Sequence, residues 1–136
     1  MKPQGIHILI IDDDEINNFI AGKLIKKVQE NTVVNTCLNG LDGINYVKSK
    51  IDSDDFPDII FLDINMPVMN GWEFLDLYSD LTSKIKKEVT INMLSSSVYN
   101  EDIEKAKIYP SVNKFISKPL TIEKIQNLFD GLKITQ

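Results

Sequence analysis

Short apolar runs and helically spaced stretches take turns along this chain, five times over, and that alternation restricts the fold more than any other property of the sequence. Residues 7–11, HILII, read as a strand buried on both faces. Residues 15–29 follow with Ile16, Phe19, Ile20, Leu24, Ile25 and Val28 at helical spacing, and these are expected to face the core. A second strand is expected over 33–37 and a second helix over 41–51, with Leu41, Ile44, Val47 and Ile51 inward. The polar loop 52–57 leads to a third strand over 58–63 and a helix over 70–82, with Phe74, Leu75, Tyr78 and Leu81 inward. Residues 89–94 read as a fourth strand, 98–108 as a weakly amphipathic helix and 114–117 as a short fifth strand. The chain closes on a helix over 121–133, with Ile122, Ile125, Leu128, Phe129 and Leu132 on one face.

Strict alternation of this kind builds a parallel sheet with helices on both faces. The expected fold class is therefore α/β, a five-stranded parallel sheet doubly wound as (βα)5. A length of 136 residues suits one domain over 1–136, with its core over about 7–133. There is no internal repeat, low-complexity segment or interdomain linker.

Charge and composition exclude several functions. The net charge is −5 and the chain has no arginine, the residue that supplies bidentate phosphate and guanine contacts, so nucleic-acid binding is not expected. No apolar run approaches the length of a membrane span, and the N-terminal stretch MKPQGIHIL lacks a secretion signal. Cys37 is the single cysteine, which forbids an internal disulfide and makes a cytoplasmic setting the expectation.

In open sheets of this type ligands bind beyond the carboxyl ends of the strands, where the strand order reverses. The first strand ends in Asp12, Asp13 and Asp14, and the third in Asp63. The fourth ends in Ser95, Ser96 and Ser97, and the fifth in Lys118 followed by Pro119. Carboxylates brought that close repel one another and call for a divalent cation. Mg²⁺ takes oxygen ligands, one or two of them carboxylates, together with phosphate oxygens. A lysine point charge and a serine hydroxyl complete a set that suits a phosphoryl group, and a carboxylate can itself become an aspartyl-phosphate.

The segments ILIIDDDEIN, PDIIFLDINMPVMNG, INMLSSS and FISKPL, in that order and each at an expected strand end, resemble a response-regulator receiver domain, the CheY-like relative of the flavodoxin-like fold. The resemblance runs from Ile8 to about Leu132. It implies that Asp63 is the phosphoacceptor, that Asp12, Asp13 and Asp63 hold Mg²⁺, and that Asn65 adds its backbone carbonyl. It makes Ser95 the hydroxyl switch residue, Lys118 the partner of a phosphoryl oxygen and Phe115 the aromatic switch. Gly71 fits the turn that opens the third helix. The implied phosphodonor is a sensor histidine kinase or a histidine phosphotransfer protein. The implied output is a changed surface of helix four, strand five and helix five, bound by a downstream protein. No enzymatic activity is implied beyond weak self-catalysed phosphotransfer and dephosphorylation, and the expected state is a monomer or weak dimer.

Plainer roles compete at several positions. Asp63 could cap the helix that follows it, and Asp14 and Glu15 suit the first turn of helix one. Ser96 and Ser97 suit a loop or N-cap, His7 a structural place, and Cys37 a small buried site. Lys84, Lys86 and Lys87 read as solvated loop charge, and Phe19, Phe56, Trp72 and Phe74 as packing. Two other functions fit less well. An aspartyl-phosphate phosphatase of the haloacid dehalogenase type wants a second Asp two residues after its nucleophile, where this chain has Asn65. A nucleotide-binding fold wants a glycine-rich loop after strand one. A receiver piece of a hybrid histidine kinase stays open.

Overall fold

The structure, a computed structural model, describes residues 5–97 and 99–133. Its elements are β1 (Ile6–Ile11), α1 (Glu15–Val28), β2 (Thr32–Cys37), α2 (Gly40–Lys50), β3 (Ile59–Asp63), α3 (Gly71–Ser79), β4 (Thr90–Ser95), α4 (Asn100–Ala106), β5 (Val112–Ser117) and α5 (Ile122–Gly131). A single 3₁₀ turn, Thr82–Lys84, lies between α3 and β4. The strands form one sheet in the order β2-β1-β3-β4-β5, every neighbouring pair parallel. The order reverses between β1 and β3, so the carboxyl ends of those two strands flank the switch point.

Burial explains the sequence pattern. Ile6, Ile8 and Ile10 of β1 point into one apolar layer, shared with Ile25 and Val28 of α1 and Ile125, Leu128 and Phe129 of α5. Leu9 and Ile11 point into the opposite layer, shared with Ile44 and Val47 of α2 and Phe74, Leu75 and Tyr78 of α3. Strands sandwiched this way carry no polar alternation, which is why β1 and β3 read as unbroken aliphatic runs.

The structure corrects the expected inner face of α1. Ile16, Phe19 and Ile20 are 73%, 67% and 48% exposed, while Asn18, Ala21, Ile25 and Val28 are buried. The helix carries apolar residues on two sides, and the sheet takes the side where small Ala21 permits close approach. Asn18 is tolerated there because its Nδ2 donates to the Asp12 carbonyl at 2.8 Å. Phe19 is thus not core packing. Leu41 and Ile122, also expected inward, sit exposed near the starts of their helices.

Other departures are local. α4 begins at Asn100; the expected start at 98 lies outside the described residues. β5 begins two residues early because its pairing with β4 carries an irregularity at Ile91/Asn92, which leaves Asn113 as the extra residue. Buried Asn92 accepts from Asn113 Nδ2 there at 3.1 Å. Lys87 is not solvated loop charge: its ammonium lies 3.1 Å from Asp58 Oδ1 and donates to the Phe56 carbonyl at 2.6 Å. His7 keeps a structural place, its backbone N–H donating to Asp58 Oδ2 at 2.9 Å. Among the described residues no helix is long and apolar enough to cross a membrane.

Candidate functional site

β1 runs directly into Asp12 and β3 ends on Asp63, where the polar chain emerges from the buried sheet. Asp12 is 2% and Asp63 5% exposed, and Asp13 stands beside them exposed to solvent. Carboxylate oxygens of Asp12, Asp13 and Asp63 all lie within 4.8 Å of one another. Lys118, delivered by the end of β5, bridges two of the three: its ammonium is 2.8 Å from Asp12 Oδ2 and 3.3 Å from Asp63 Oδ1. The sheet enforces this convergence, since Lys118 N–H donates to the Ser95 carbonyl at 2.8 Å and so ties the ends of β4 and β5 together.

The electrostatics follow from burial. Loss of water pushes the Asp63 carboxyl up from 3.8 to about 6; the Asp12 charge adds to the rise, the Lys118 ammonium opposes it, and Asp13 adds a smaller push. Burial works against the Lys118 ammonium too, yet Asp12 and Asp63 outweigh it and hold the lysine above its ordinary range. One ammonium among three acids leaves excess negative charge. All the donors are carboxylate oxygens, the chemistry of a hard divalent cation such as Mg²⁺, so the set fits that ion.

The plainer reading of Asp63 as a helix cap does not hold. The N-cap of α3 is Asn70, whose side chain accepts from Glu73 N–H at 2.9 Å while Glu73 Oε1 accepts from Asn70 N–H at 3.0 Å. The N-x-x-E signal of that capping box was legible in the sequence. Asp14, in contrast, is the N-cap of α1, accepting from Asn17 N–H at 3.0 Å. Its own N–H donates to Asp12 Oδ1 at 3.0 Å, which fixes the Asp12 carboxylate against the loop.

Gly71 is held close to the acid. A Cβ at that position would lie 2.5 Å from the Asp63 carbonyl oxygen and 3.1 Å from Ile64 Cα. Its N–H donates to the Ile64 carbonyl at 2.8 Å. The 64–70 loop therefore folds back tightly on the strand end, with Asn65 exposed two residues past Asp63.

The two expected switch residues, Ser95 and Phe115, are supplied by β4 and β5. Ser95 is buried at the end of β4, and its hydroxyl donates to the Ser97 carbonyl and accepts from Ser97 N–H at 3.2 Å. Phe115 is half-buried against the α2–α3 layer, opposite Met93 in the ladder. Asn18, absent from the expected set, reaches the site from α1 through the Asp12 carbonyl. Its signal was a polar residue on the side of α1 that packs on the sheet. Cys37 is half-buried, with its thiol pushed up to about 11 by burial and then by Asp42.

Comparison with known proteins agrees with this geometry. The family model described as "Response regulator receiver domain" matches residues 8–130. Protein PilG of Pseudomonas aeruginosa is 31% identical over 124 residues, covering 91% of this chain and 84% of that one. The hybrid signal transduction histidine kinase G of Dictyostelium discoideum is 30% identical over 90% of this chain, which spans 3% of that protein's length. The crystal structure of a two-component response regulator from Cytophaga hutchinsonii superimposes with a TM-score of 0.85 at 32% identity, covering 96% of this chain and 98% of that one. A strand order reversing at β1/β3, three acids and a lysine at that point, and a family match over residues 8–130 place this chain in the response regulator receiver domain family of two-component signalling.

Proposed function

We propose that Asp63 accepts a phosphoryl group from a phosphohistidine on a sensor histidine kinase or histidine phosphotransfer protein. The observation that carries this reading is the Lys118 ammonium spanning Asp12 and Asp63 beside Asp13. An Asp63 carboxylate oxygen attacks phosphorus, the P–N bond to the imidazole breaks, and the imidazole leaves with that electron pair. Asp12, Asp13, Asp63 and the Asn65 backbone carbonyl would hold Mg²⁺, which when bound neutralises charge on the phosphoryl oxygens. Burial removes water from Asp63 and so strengthens every charge interaction around it. Lys118 exchanges its carboxylate partners for a phosphoryl oxygen, and Ser95 turns its hydroxyl from Ser97 toward another.

That turn moves the loop after β4 and begins the switch. α4 is seven residues long, buries only Ala106 and has no side-chain N-cap, so little holds its start in place. Its movement, with Phe115, changes the α4–β5–α5 surface for a downstream protein. The phosphodonor docks at the opposite flank, where exposed Ile16, Phe19 and Ile20 of α1 leave an apolar stripe and Ile16 and Leu38 share a rim with Asp13. In this reading the chain is a single cytoplasmic receiver unit that acts as phosphoacceptor, with at most weak self-catalysed transfer and hydrolysis.

The test is to incubate the native protein with Mg²⁺ and a small acyl phosphate and measure the intact mass. One added phosphoryl group is expected, absent in Asp63→Asn. No adduct on native protein, or an equal adduct on Asp63→Asn, would overturn the proposal.

A further inference from the structure

Beside Lys118 lies a recess of about 30 Å³ between α1, the ends of β1 and β4, and the loop after β5. Its polar walls are Asp12, Asn17, Asn18 and Lys118; Ala21, Leu94 and Pro119 are among its apolar ones. Asn18 is 4% exposed, and its Oδ1 meets no hydrogen-bond donor among the described residues. The amide cannot be turned to cure this. The Asp12 carbonyl only accepts, so the Asn18 NH₂ has to face it, at 2.8 Å, and Oδ1 has to face away. A buried amide oxygen without a donor is costly, and the recess beside it has room for a water molecule.

We propose that this recess is a hydration site and that Asn18 is a positioning residue for Lys118 acting through its water. The water donates to Asn18 Oδ1 and accepts from the Lys118 ammonium. Lys118 has three N–H bonds, of which two are directed at Asp12 Oδ2 and Asp63 Oδ1. The third serves the water. Asn18 thereby holds Asp12 through its backbone and Lys118 through the water, so one α1 side chain sets the pose of both halves of the ion pair. When Lys118 moves to a phosphoryl oxygen, the water keeps one of its N–H bonds and limits how far it travels. This part rests on the phosphoacceptor reading above; the hydration site does not.

The experiment has two arms. A crystal structure of the native chain that resolves ordered waters is expected to show one water within hydrogen-bond reach of both Asn18 Oδ1 and Lys118 Nζ. A recess without such a water overturns the proposal. In the second arm Asn18→Leu removes the amide, while Ala21→Val fills the recess and leaves the amide in place. Both are expected to fold, to lose at least about tenfold in Mg²⁺-dependent modification rate, and to broaden the side-chain ammonium resonance of Lys118 through faster proton exchange. A merely structural Asn18 would leave that resonance unchanged. Native rate and resonance in a folded Ala21→Val overturn the positioning role, and this variant decides the matter even should Asn18→Leu fail to fold. If the native chain itself takes no phosphoryl group, the phosphoacceptor reading fails, while the crystallographic water and the Lys118 resonance still decide the hydration site.

Discussion

The Lys118 ammonium lies nearer to Asp12, 2.8 Å from Oδ2, than to Asp63, 3.3 Å from Oδ1. In the resting state it therefore serves Asp12 first and holds the site together. The lysine side chain is 17% exposed and the two acids 3% and 8%, so solvent compensates little if it is lost. Breaking a buried pair costs about 3–5 kcal/mol. Lys118→Met is expected to lose roughly 2–4 kcal/mol in urea denaturation at neutral pH with a chelator present, discounted for the partly exposed lysine. Added Mg²⁺ should restore part of the loss. An unchanged midpoint would show that the ion pair carries no stability.

Asp63 should respond to pH with the opposite sign from an acid whose charge the fold stabilises, because burial outweighs its ion pair with Lys118. Its carboxyl titrates near 6 in the fold against 3.8 without it, so the folded chain favours the protonated form. The stability that protonation brings is complete below pH 3.8 and is lost as the pH rises through 6. At neutral pH the charged acid is a net cost, and Asp63→Asn is expected to be more stable by roughly 1–3 kcal/mol without metal. The gain should vanish below pH 3.8 and shrink with Mg²⁺, which in the proposed function binds the charged native form. Thermal melts across that range check the sign; a gain that persists in acid would contradict it.

Gly71→Ala tests the close approach behind Asp63. The new Cβ would meet the Asp63 carbonyl oxygen at 2.5 Å, and that backbone has no rotamer with which to yield. Overpacking of this kind costs about 1–3 kcal/mol, and the shift falls on the strand end that carries the acid. A lower melting temperature and slower modification of Asp63 are expected. Gly131→Ala is the control: among the described residues no neighbour outside its own helix backbone lies within 4 Å of a Cβ added there, at the end of α5, and it should be neutral or slightly stabilising.

Val68 sits in the loop between Asp63 and α3 with φ at 69° and 74% of its surface exposed. The left-handed conformation costs an L-residue about 1–2 kcal/mol, and a β-branched side chain is among the least suited to it. Asparagine tolerates it. Val68→Asn is expected to stabilise the chain by roughly 0.5–1 kcal/mol in chemical denaturation, since little packing is lost at an exposed position. Equal or lower stability would mean that the valine makes contacts which offset its strain.

The sheet and the acid–lysine cluster were legible because both depend on patterns a linear sequence preserves. Strands buried on two faces have to be apolar throughout, so β1 and β3 stood out, and in a parallel sheet Asp12, Asp63 and Lys118 have to reach the same edge. The inner face of α1 was not legible. Periodicity reports an apolar stripe and not which stripe the sheet accepts, and Ile16, Phe19 and Ile20 outweighed the smaller Ala21 and the polar Asn18. Asn18 is buried because of one hydrogen bond to a backbone carbonyl, and buried Asn92 finds its partner in Asn113, the extra residue of β5. Contacts between residues distant in space leave no local period.

Trp72 offers a direct view of the proposed switch because it joins α3 to the end of α4. Its ring stacks on Tyr109 with centroids 6.0 Å apart, and the Lys105 ammonium lies 4.7 Å from its centroid. Tyr109 hydroxyl donates to Asp76 Oδ1 at 2.7 Å, which with burial pushes the phenol up to about 12. α4 is thus fastened at its C-terminal end, while its N-terminal end lacks a side-chain cap. A shift started at Ser95 should pivot the helix about that fastening and change the environment of the chain's one tryptophan. Beryllofluoride with Mg²⁺ is expected to alter Trp72 emission in the native protein and to leave Asp63→Asn unchanged. Tyr109→Phe keeps the stack and loses the hydrogen bond, at a cost of about 1 kcal/mol; its emission response should survive. Tyr109→Leu loses both, so α4 amides should exchange faster and the response should fall to less than about half as the cation–π and stacking contacts loosen. A full response in Tyr109→Leu would place the pivot elsewhere.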